Sequence, residues 1–368
     1  MHANQLPLEL SGDAGTDAAI TVGLVFGGRS AEHEVSIRSA ATLHAALLDA
    51  GFWVVPIGIA RDGTWRYMPA VNGPFPAAVD DHACAVTLAP GGAGQLVACS
   101  ACDAGLPLPR IDVVFPALHG PFGEDGALQG MLETCGVPYV GAGVLAGAAT
   151  MDKAFAKRVL LQAGLPVVPY RVHRRGDAVP SHAWFSERLG PELFVKPASL
   201  GSSIGVAPAH DEATLAAAVA GALAHGDTVL VERRLRGREL ECGVMETEDG
   251  PVASVVGEIV TSAAHAFYDY EAKYVAVDGA RAQVPARLDA ATSAQVRRMA
   301  VDAFRTFGCH GLARVDFFVD ERGEVFVNEL NTLPGFTSIS LFPRMFEATG
   351  IPLEHQVRRL VDLALARG

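Results

Sequence analysis

The segment GLARVDFFVDERGEVFVNELN (Gly311–Asn331) brings an arginine, two carboxylates and an amide together in a pattern that suits a hydrated divalent cation. It reads as a hairpin turning at Asp320–Gly323, with Val319 facing Glu324. This register sets Arg314 opposite Glu329 and Asp316 opposite Val327, with Asn331 two residues beyond Glu329. Strand side chains alternate, so Arg314, Asp316, Glu329 and Asn331 should all project from one face. Two carboxylates and an amide oxygen are hard ligands, and magnesium takes only one or two carboxylates, filling its shell with water and phosphate oxygens. A surface hairpin with a cross-strand Arg–Glu pair would carry the same residues.

A second segment, VKPASLGSSIGV (Val195–Val206), delivers Lys196 from a strand into a Gly/Ser-rich loop. Glycines let a backbone approach phosphate oxygens, hydroxyls add donors and the lysine adds a point charge. The order of residues is not that of a Walker loop. HGPFGEDGALQG (His119–Gly130) and GGRSAEHEVS (Gly27–Ser36) each follow an apolar run, where ligands bind in open α/β sheets. The paired glycines of the latter lack the G-x-G-x-x-G order of a dinucleotide site. AFYDYEAKYVA (Ala266–Ala276) is too polar for a core strand and suits a lid that closes on a ligand; a plain surface loop is the alternative. His33, His44 and the other histidines lack metal-ligand spacing. Cys99 and Cys102 form one C-x-x-C pair with no second pair at zinc spacing, so the thiols read as reduced and structural.

These segments need a frame. TVGLVFGG (Thr21–Gly28), WVVPIGIA (Trp53–Ala60) and IDVVFPAL (Ile111–Leu118) are apolar strands, and SIRSAATLHAALLDAG (Ser36–Gly51) between them has helical spacing. That order implies a parallel sheet with helices on its faces. The Gly/Pro/Ala-rich stretch Arg61–Pro109 reads as an irregular insertion with short strands, and MDKAFAKRVLLQAGL (Met151–Leu165) as a helix. LFVKPAS and VLVERRL are strands with an alanine-rich helix between them, from about Asp211 to Leu223, and LECGVMETEDGPVASVVGEIV is a hairpin with a Glu-Asp-Gly turn. Residues 1–18 are small and polar and read as a disordered tail.

Composition bounds the class. At 368 residues, 50% hydrophobic and 19% charged, the chain is globular, with two or three domains at roughly 150 residues each. A net charge of −12 disfavours a general nucleic-acid binder, which must neutralise phosphates. The uncharged stretches Ala83–Cys102 and Thr134–Met151 are interrupted by proline and glycine and do not read as membrane spans. The start MHANQLPLEL has neither a basic nor an apolar segment, so a cytoplasmic location is expected.

Taken together, GGRSAEHEVS, HGPFGEDG, MDK, VKPASLGSSIGV, GRELECGV, YDYEAKY, RVDFF and NELNTLPGFTSISLFP resemble, in the same order, the motifs of the D-alanine–D-alanine ligase family of the ATP-grasp superfamily. The resemblance runs from about Thr21 to the C-terminus. It implies an α/β ATP-grasp fold of three α/β domains, the first with a Rossmann-like parallel sheet: an N-terminal substrate-binding domain (19–141), a central subdomain (142–231) and a C-terminal subdomain with the lid and metal hairpin (232–368). It also implies an enzyme that uses ATP to join two D-alanines through an acyl phosphate, for peptidoglycan precursors. A homodimer with D-alanine and ATP as its ligands, and neither nucleic acid nor membrane as a partner, goes with that reading.

Residue by residue, the resemblance implies that Lys153 and Lys196 hold ATP phosphates and that Lys273 on the lid reaches the transferred one. Glu232, Arg233 and Leu235 match the adenine-binding stretch, with arginine at 233 where some members have lysine, and Glu239 matches the ribose-binding acid. Asp316, Glu329 and Asn331 match ligands for two magnesium (or manganese) ions. Arg314 and the Gly335 N–H resemble an oxyanion site. Glu32, with His119 close by, matches the group that fixes the first substrate's ammonium. Glu32, Ser202 and Tyr274 match a hydrogen-bonded trio joining three segments, and Ser340 and Leu341 match the stretch that receives the second substrate's carboxylate. Alternatives are a ligase taking D-lactate second, a nucleotide-binding regulator without catalysis, and a dinucleotide-dependent dehydrogenase.

Overall fold

The structure, a computed structural model, describes residues 19–69, 75–100, 107–202, 204–261 and 280–368. The first 18 residues and the lid segment with Lys273 and Tyr274 lie outside the described residues.

The apolar strand β1 (Thr21–Gly27) is covered on both sides, which is why it does not alternate. It pairs in parallel with β2 (Trp53–Ile59) and, beyond α1 (His33–Asp49), with β6 (Val113–Pro116). The edge strand β3 (Trp65–Tyr67) runs antiparallel, giving the order β3-β2-β1-β6. The insertion holds a two-stranded ribbon of β4 (Val86–Leu88) and β5 (Leu96–Ala98). The sheet's carboxyl ends open onto the loops at Gly28–Glu32 and Leu118–Gly126, ahead of α2 (Ala127–Cys135).

The expected helix Met151–Leu165 is instead two. Met151 ends α3 (Val144–Met151), and Asp152, in an extended conformation, caps α4 (Lys153–Gln162) by accepting from the Phe155 N–H at 2.8 Å. An aspartate placed just before a helical run is a strong cap. It also turns Lys153 and Lys157, one helical turn apart, toward the same side. The central sheet β7-β10-β8-β9 is antiparallel throughout, built from β7 (Tyr170–Arg174), β8 (Leu193–Pro197), β9 (Ala207–Ala209) and β10 (Thr228–Arg233). Leu193, Val195, Val229 and Val231 face α5 (His182–Leu189) and α6 (Glu212–Leu223). The alternate residues Lys196, Leu230 and Glu232 face α4.

The third sheet, β13-β12-β11-β14-β15, contains β11 (Gly237–Met245), β12 (Val252–Thr261), β13 (Ala280–Gln283), β14 (Leu312–Asp320) and β15 (Val325–Asn331). Its back face, with Leu240, Cys242, Val244, Val315 and Phe317, packs on α7 (Ala290–Thr306). The chain ends in α8 (Leu341–Ala348) and α9 (Leu353–Arg367). Val357, Leu360 and Val361 of α9 join Val22, Leu24 and Phe115 in one core, so the last helix seats on the first sheet.

The hairpin register differs from expectation. Asp320, not Val319, faces Glu324, because the Asp320 N–H donates to Glu324 O at 3.0 Å and Glu321–Gly323 form the loop. Gly323 sits at φ +82°, the left-handed residue that closes a three-residue hairpin loop. A bulge then leaves Asn328 unpaired, so Asp316 faces Glu329 and Arg314 faces Asn331, rather than Val327 and Glu329. The four residues still share one face. Without the bulge Glu329 would follow Val327, which is fully buried, into the core.

Candidate functional site

Two clefts meet at the front of the third sheet. One, of about 350 Å³, lies between the central and third sheets and is lined by Lys196, Glu232, Arg233, Leu235, Glu239 and Asp316, among others. The other, of about 520 Å³, is lined by Glu32, His119, Arg314, Asn331, Gly335, Ser340 and Leu341, among others. Lys153, Gly201, Ser202, Glu241, Ile259 and Glu329 border both. The sequence-expected residues outside the lid therefore gather around one junction.

At that junction Lys153 Nζ lies 3.0 Å from Glu329 Oε2 and donates to Leu200 O at 2.7 Å. Its backbone N–H donates to Ala198 O at 2.8 Å, which ties the start of α4 to the glycine loop. Arg314 donates to both oxygens of Asp316 at 2.7 Å through Nε and Nη2, and Nε lies 3.1 Å from Glu241 Oε2. Burial opposes the charge of Arg314, but the Asp316 and Glu241 carboxylates outweigh it and hold the guanidinium well above its ordinary pKa. It is a fixed cation aimed at the second cleft.

Lys196 Nζ is 2.9 Å from Glu232 Oε2 and donates to Asn328 Oδ1 at 3.3 Å, while Lys157 Nζ is 3.0 Å from Glu232 Oε1. Burial raises the Glu232 carboxyl, and the two ammonium groups more than offset it, so it sits below its usual range. Arg233 turns outward, its Nε donating to Leu189 O at 2.8 Å at the end of α5.

On the N-terminal side, the Ser202 hydroxyl donates to Glu32 Oε1 across 170 residues of sequence. Ser202 holds a positive φ of 51°, unusual for a residue with a side chain. His119 is buried between two partners. Its Nδ1–H donates to Leu333 O at 3.2 Å, since a carbonyl only accepts, which leaves Nε2 as the partner of the Ser39 hydroxyl at 3.2 Å. Burial lowers its pKa, so the ring is neutral. Burial and the nearby Glu32 charge push the Glu124 carboxyl up to about 8. Gly335 lies against Ser340, where an added Cβ would come within 2.9 Å of Oγ. Ser340 precedes α8, and its hydroxyl accepts from the Thr337 N–H at 3.0 Å. Close approach of α8 to the third sheet requires Gly243, whose Cβ would fall 2.7 Å from Phe346.

Lys157, Glu241, Asn328 and Glu124 were not singled out from sequence. Glu241 has a readable signal, two positions from Glu239 on a strand and so on the same face. Lys157 has one too, four residues after Lys153 on a helix. Asn328 had none, because its place depends on the bulge.

The family model described as "D-ala D-ala ligase N-terminus" matches residues 21–142, and "D-ala D-ala ligase C-terminus" matches residues 159–362. The chain belongs to the D-alanine–D-alanine ligase family. Its relatives include the D-alanine--D-alanine ligase of Nocardia farcinica, 50% identical over 95% of this chain and 98% of that protein. The protein of the same name in Mycobacterium sp. (strain JLS) is 47% identical over 94% and 96%. Among solved structures, the D-alanine-D-alanine ligase from Coxiella burnetii superposes with a TM-score of 0.81 at 36% identity, covering 95% of this chain and 96% of that one. The VanG D-Ala:D-Ser ligase from Enterococcus faecalis gives 0.82 at 32%, covering 94% and 99%. The ATP-grasp α/β fold expected from the sequence is thus that of this family member.

Family membership raises the question of the metal. Among the described residues no group of three or more His, Cys, Asp or Glu side chains forms a cage. Asp316, Glu329 and the Asn331 amide on one face nonetheless form a donor set of hard oxygens, which fits magnesium with waters and phosphates completing the shell. Among the described residues no helix is long and apolar enough to cross a membrane.

Proposed function

We propose that the chain joins two D-alanines into D-alanyl-D-alanine, converting ATP to ADP and phosphate, for peptidoglycan precursors. The observation that carries this is the junction of the two clefts at Lys153, Ser202, Glu241 and Glu329: a nucleotide in the first cleft would end where an amino acid in the second begins. We divide the chain into three α/β units, 19–141, 142–231 and 232–368, with the nucleotide between the second and third.

Glu239 takes the ribose, and Glu232, Arg233 and the Leu235 backbone take the adenine edge. Lys153 and Lys196 take the phosphates, with Lys273 closing on the transferred one. Magnesium or manganese ions held by Asp316, Glu329 and Asn331 would neutralise phosphate charge. Glu32 receives the ammonium of the first D-alanine, with His119 beside it. The carboxylate of that substrate attacks the γ-phosphate of ATP and ADP leaves, giving an acyl phosphate. The amine of the second D-alanine attacks the acyl carbon, and the tetrahedral centre expels phosphate.

Arg314 and the Gly335 N–H stabilise the oxyanion of that centre, and the Asp316–Glu241 clamp pre-orients the guanidinium. The second carboxylate is received at Ser340 and Leu341, where the first turn of α8 leaves backbone N–H groups free for an anion. The Ser202–Glu32 bond, with Tyr274, closes the site against water. We place the activity in the cytoplasm, in a homodimer.

Phosphate release and product identity, measured with ATP and magnesium and with D-alanine alone or with D-serine or D-lactate added, test the reading. D-Alanine alone should give dipeptide and phosphate in equal amounts. Predominance of the mixed product would reassign the second substrate, and no phosphate release with D-alanine would overturn the ligase reading.

A further inference from the structure

Lys157 lines neither cleft, yet its ammonium is buried against a residue that does. Its side chain is 1% exposed and its Nζ lies 3.0 Å from Glu232 Oε1. Glu232 Oε2 is paired with Lys196 at 2.9 Å, so each carboxylate oxygen has its own lysine. The two lysines are placed differently. Lys196 borders the nucleotide cleft and also contacts Asn328, so phosphate oxygens arriving in the cleft compete for it. Lys157 stands behind Glu232, with the Tyr170 ring 5.6 Å from its ammonium, and no ligand in the cleft reaches it. Apart from the ion contact, Glu232 Oε1 has no hydrogen-bond partner among the described residues.

We propose that Lys157 is a positioning residue for nucleobase selection: it keeps Glu232 an ionised, fixed acceptor at the adenine edge of the cleft while Lys196 is given over to phosphate. The inference rests on the reading of Glu232 as an adenine contact. The chemistry is one of donors and acceptors. An ionised carboxylate only accepts hydrogen bonds, whereas its protonated form also donates. The 6-amino group of adenine is a donor and suits the ionised form. Hypoxanthine and guanine carry a carbonyl oxygen at that position, which an ionised Glu232 repels and to which a protonated one would donate.

Selection therefore depends on which state burial permits. Burial alone drives Glu232 toward the neutral acid, and Lys157 is the largest influence against it. A buried ion pair is often replaceable by apolar groups without loss of stability, so the fold itself has little need of this charge. The geometry of α4 supports the same division of labour. Lys153 and Lys157 leave one face of the helix toward carboxylates on different sheets, Glu329 and Glu232.

The test compares kcat/KM for ATP and for inosine triphosphate, with D-alanine and magnesium saturating, in wild type, K157M, E232Q and the double variant. K157M should lower the ATP-to-inosine-triphosphate ratio by at least about tenfold, the scale of a hydrogen bond to a charged group. E232Q should lower it as well, and adding K157M to E232Q should change it by less than about twofold, because the two residues act as one unit. A K157M variant that loses both nucleotides in parallel, with the ratio held, would reduce Lys157 to a structural ion pair. A ratio lowered by E232Q but not by K157M would overturn the role of Lys157 alone. A ratio untouched by E232Q would remove the adenine reading and the inference with it. If K157M fails to fold, the double variant, which removes the Lys157 and Glu232 charges together and leaves Lys196 at the cleft, decides: a further fall in the ratio relative to E232Q overturns the proposal.

Discussion

At the scale of single residues, the site is a set of buried charges held by one another. Glu329 is paired with Lys153, faces Asp316 across the hairpin and borders both clefts. E329Q should leave the fold intact, since the side chain is only half-buried at the cleft, and slow turnover at least about a hundredfold, or ~2.7 kcal/mol of barrier. Steady-state kinetics on a variant with an unchanged melting profile checks this, and turnover near wild type would remove Glu329 from the metal set. Glu124 makes a pH prediction. Its carboxyl is pushed to about 8 from an ordinary 4.5, so between those values the native state holds more protons than the unfolded chain. Stability from this group is full at the acid end and is lost as pH rises through that window. The buried neutral His119 has the opposite trend, losing stability as pH falls, so the comparison must be made against a variant. E124Q, fixed in the neutral form, should lose less stability than wild type between pH 5 and about 8, by on the order of 1 kcal/mol or more. Parallel denaturation curves at the two pH values would show that Glu124 is ionised throughout.

At the scale of elements, the bulge in β15 decides which side of the sheet the chemistry is on. Val325, Val327 and Leu330 are all buried, and simple alternation can satisfy the first two or the last but not all three. One extra residue, Asn328, lets all three face α7 and sends Glu329 and Asn331 to the cleft. Deleting Asn328 would set Glu329 directly after Val327, where plain alternation still sends Glu329 and Asn331 to the cleft, so the site should survive and lose only the local twist of the bulge and the Asn328 contact with Lys196. N328A keeps the bulge and loses only the contact with Lys196, so it should cost about 0.5–1.5 kcal/mol in kcat/KM. Assays of both variants separate the two effects: equal damage would mean that the amide, not the bulge, matters. The same level explains why the hairpin was legible only in part. Its two strands and shared face followed from residue type and alternation, but the three-residue loop and the bulge each shift the register by one residue in the same direction, and neither is visible in a count of alternating positions.

At the scale of the whole molecule, the site is assembled by contacts between segments far apart in the chain. Ser202 in the glycine loop donates to Glu32 at the start of α1, and Lys153 on α4 bridges to Glu329 on the third sheet. S202A removes the donor hydroxyl and with it the first of these links. Ligation should slow by about tenfold, the scale of a hydrogen bond to a charged group, with a larger share of ATP hydrolysed without dipeptide. The measured quantity is phosphate released per dipeptide formed. A ratio that stays at about one, as full coupling requires, would show that this bond does not close the site.

What the sequence by itself determined is what depends on neighbours in the chain: the strands of the first sheet, the two hairpins, a helix containing Lys153, and the ordered motifs that mark the family. Residue chemistry and short-range periodicity carry these, because backbone geometry repeats over a few residues. Only the tertiary structure decided the rest. It moved the hairpin register and set Glu232 between two lysines that arrive from α4 and β8. It also packed the last helix against the first sheet. These outcomes are settled by burial and charge pairing among segments that meet only when the chain folds. The cost of leaving a valine exposed or a carboxylate unpaired is felt there and nowhere earlier.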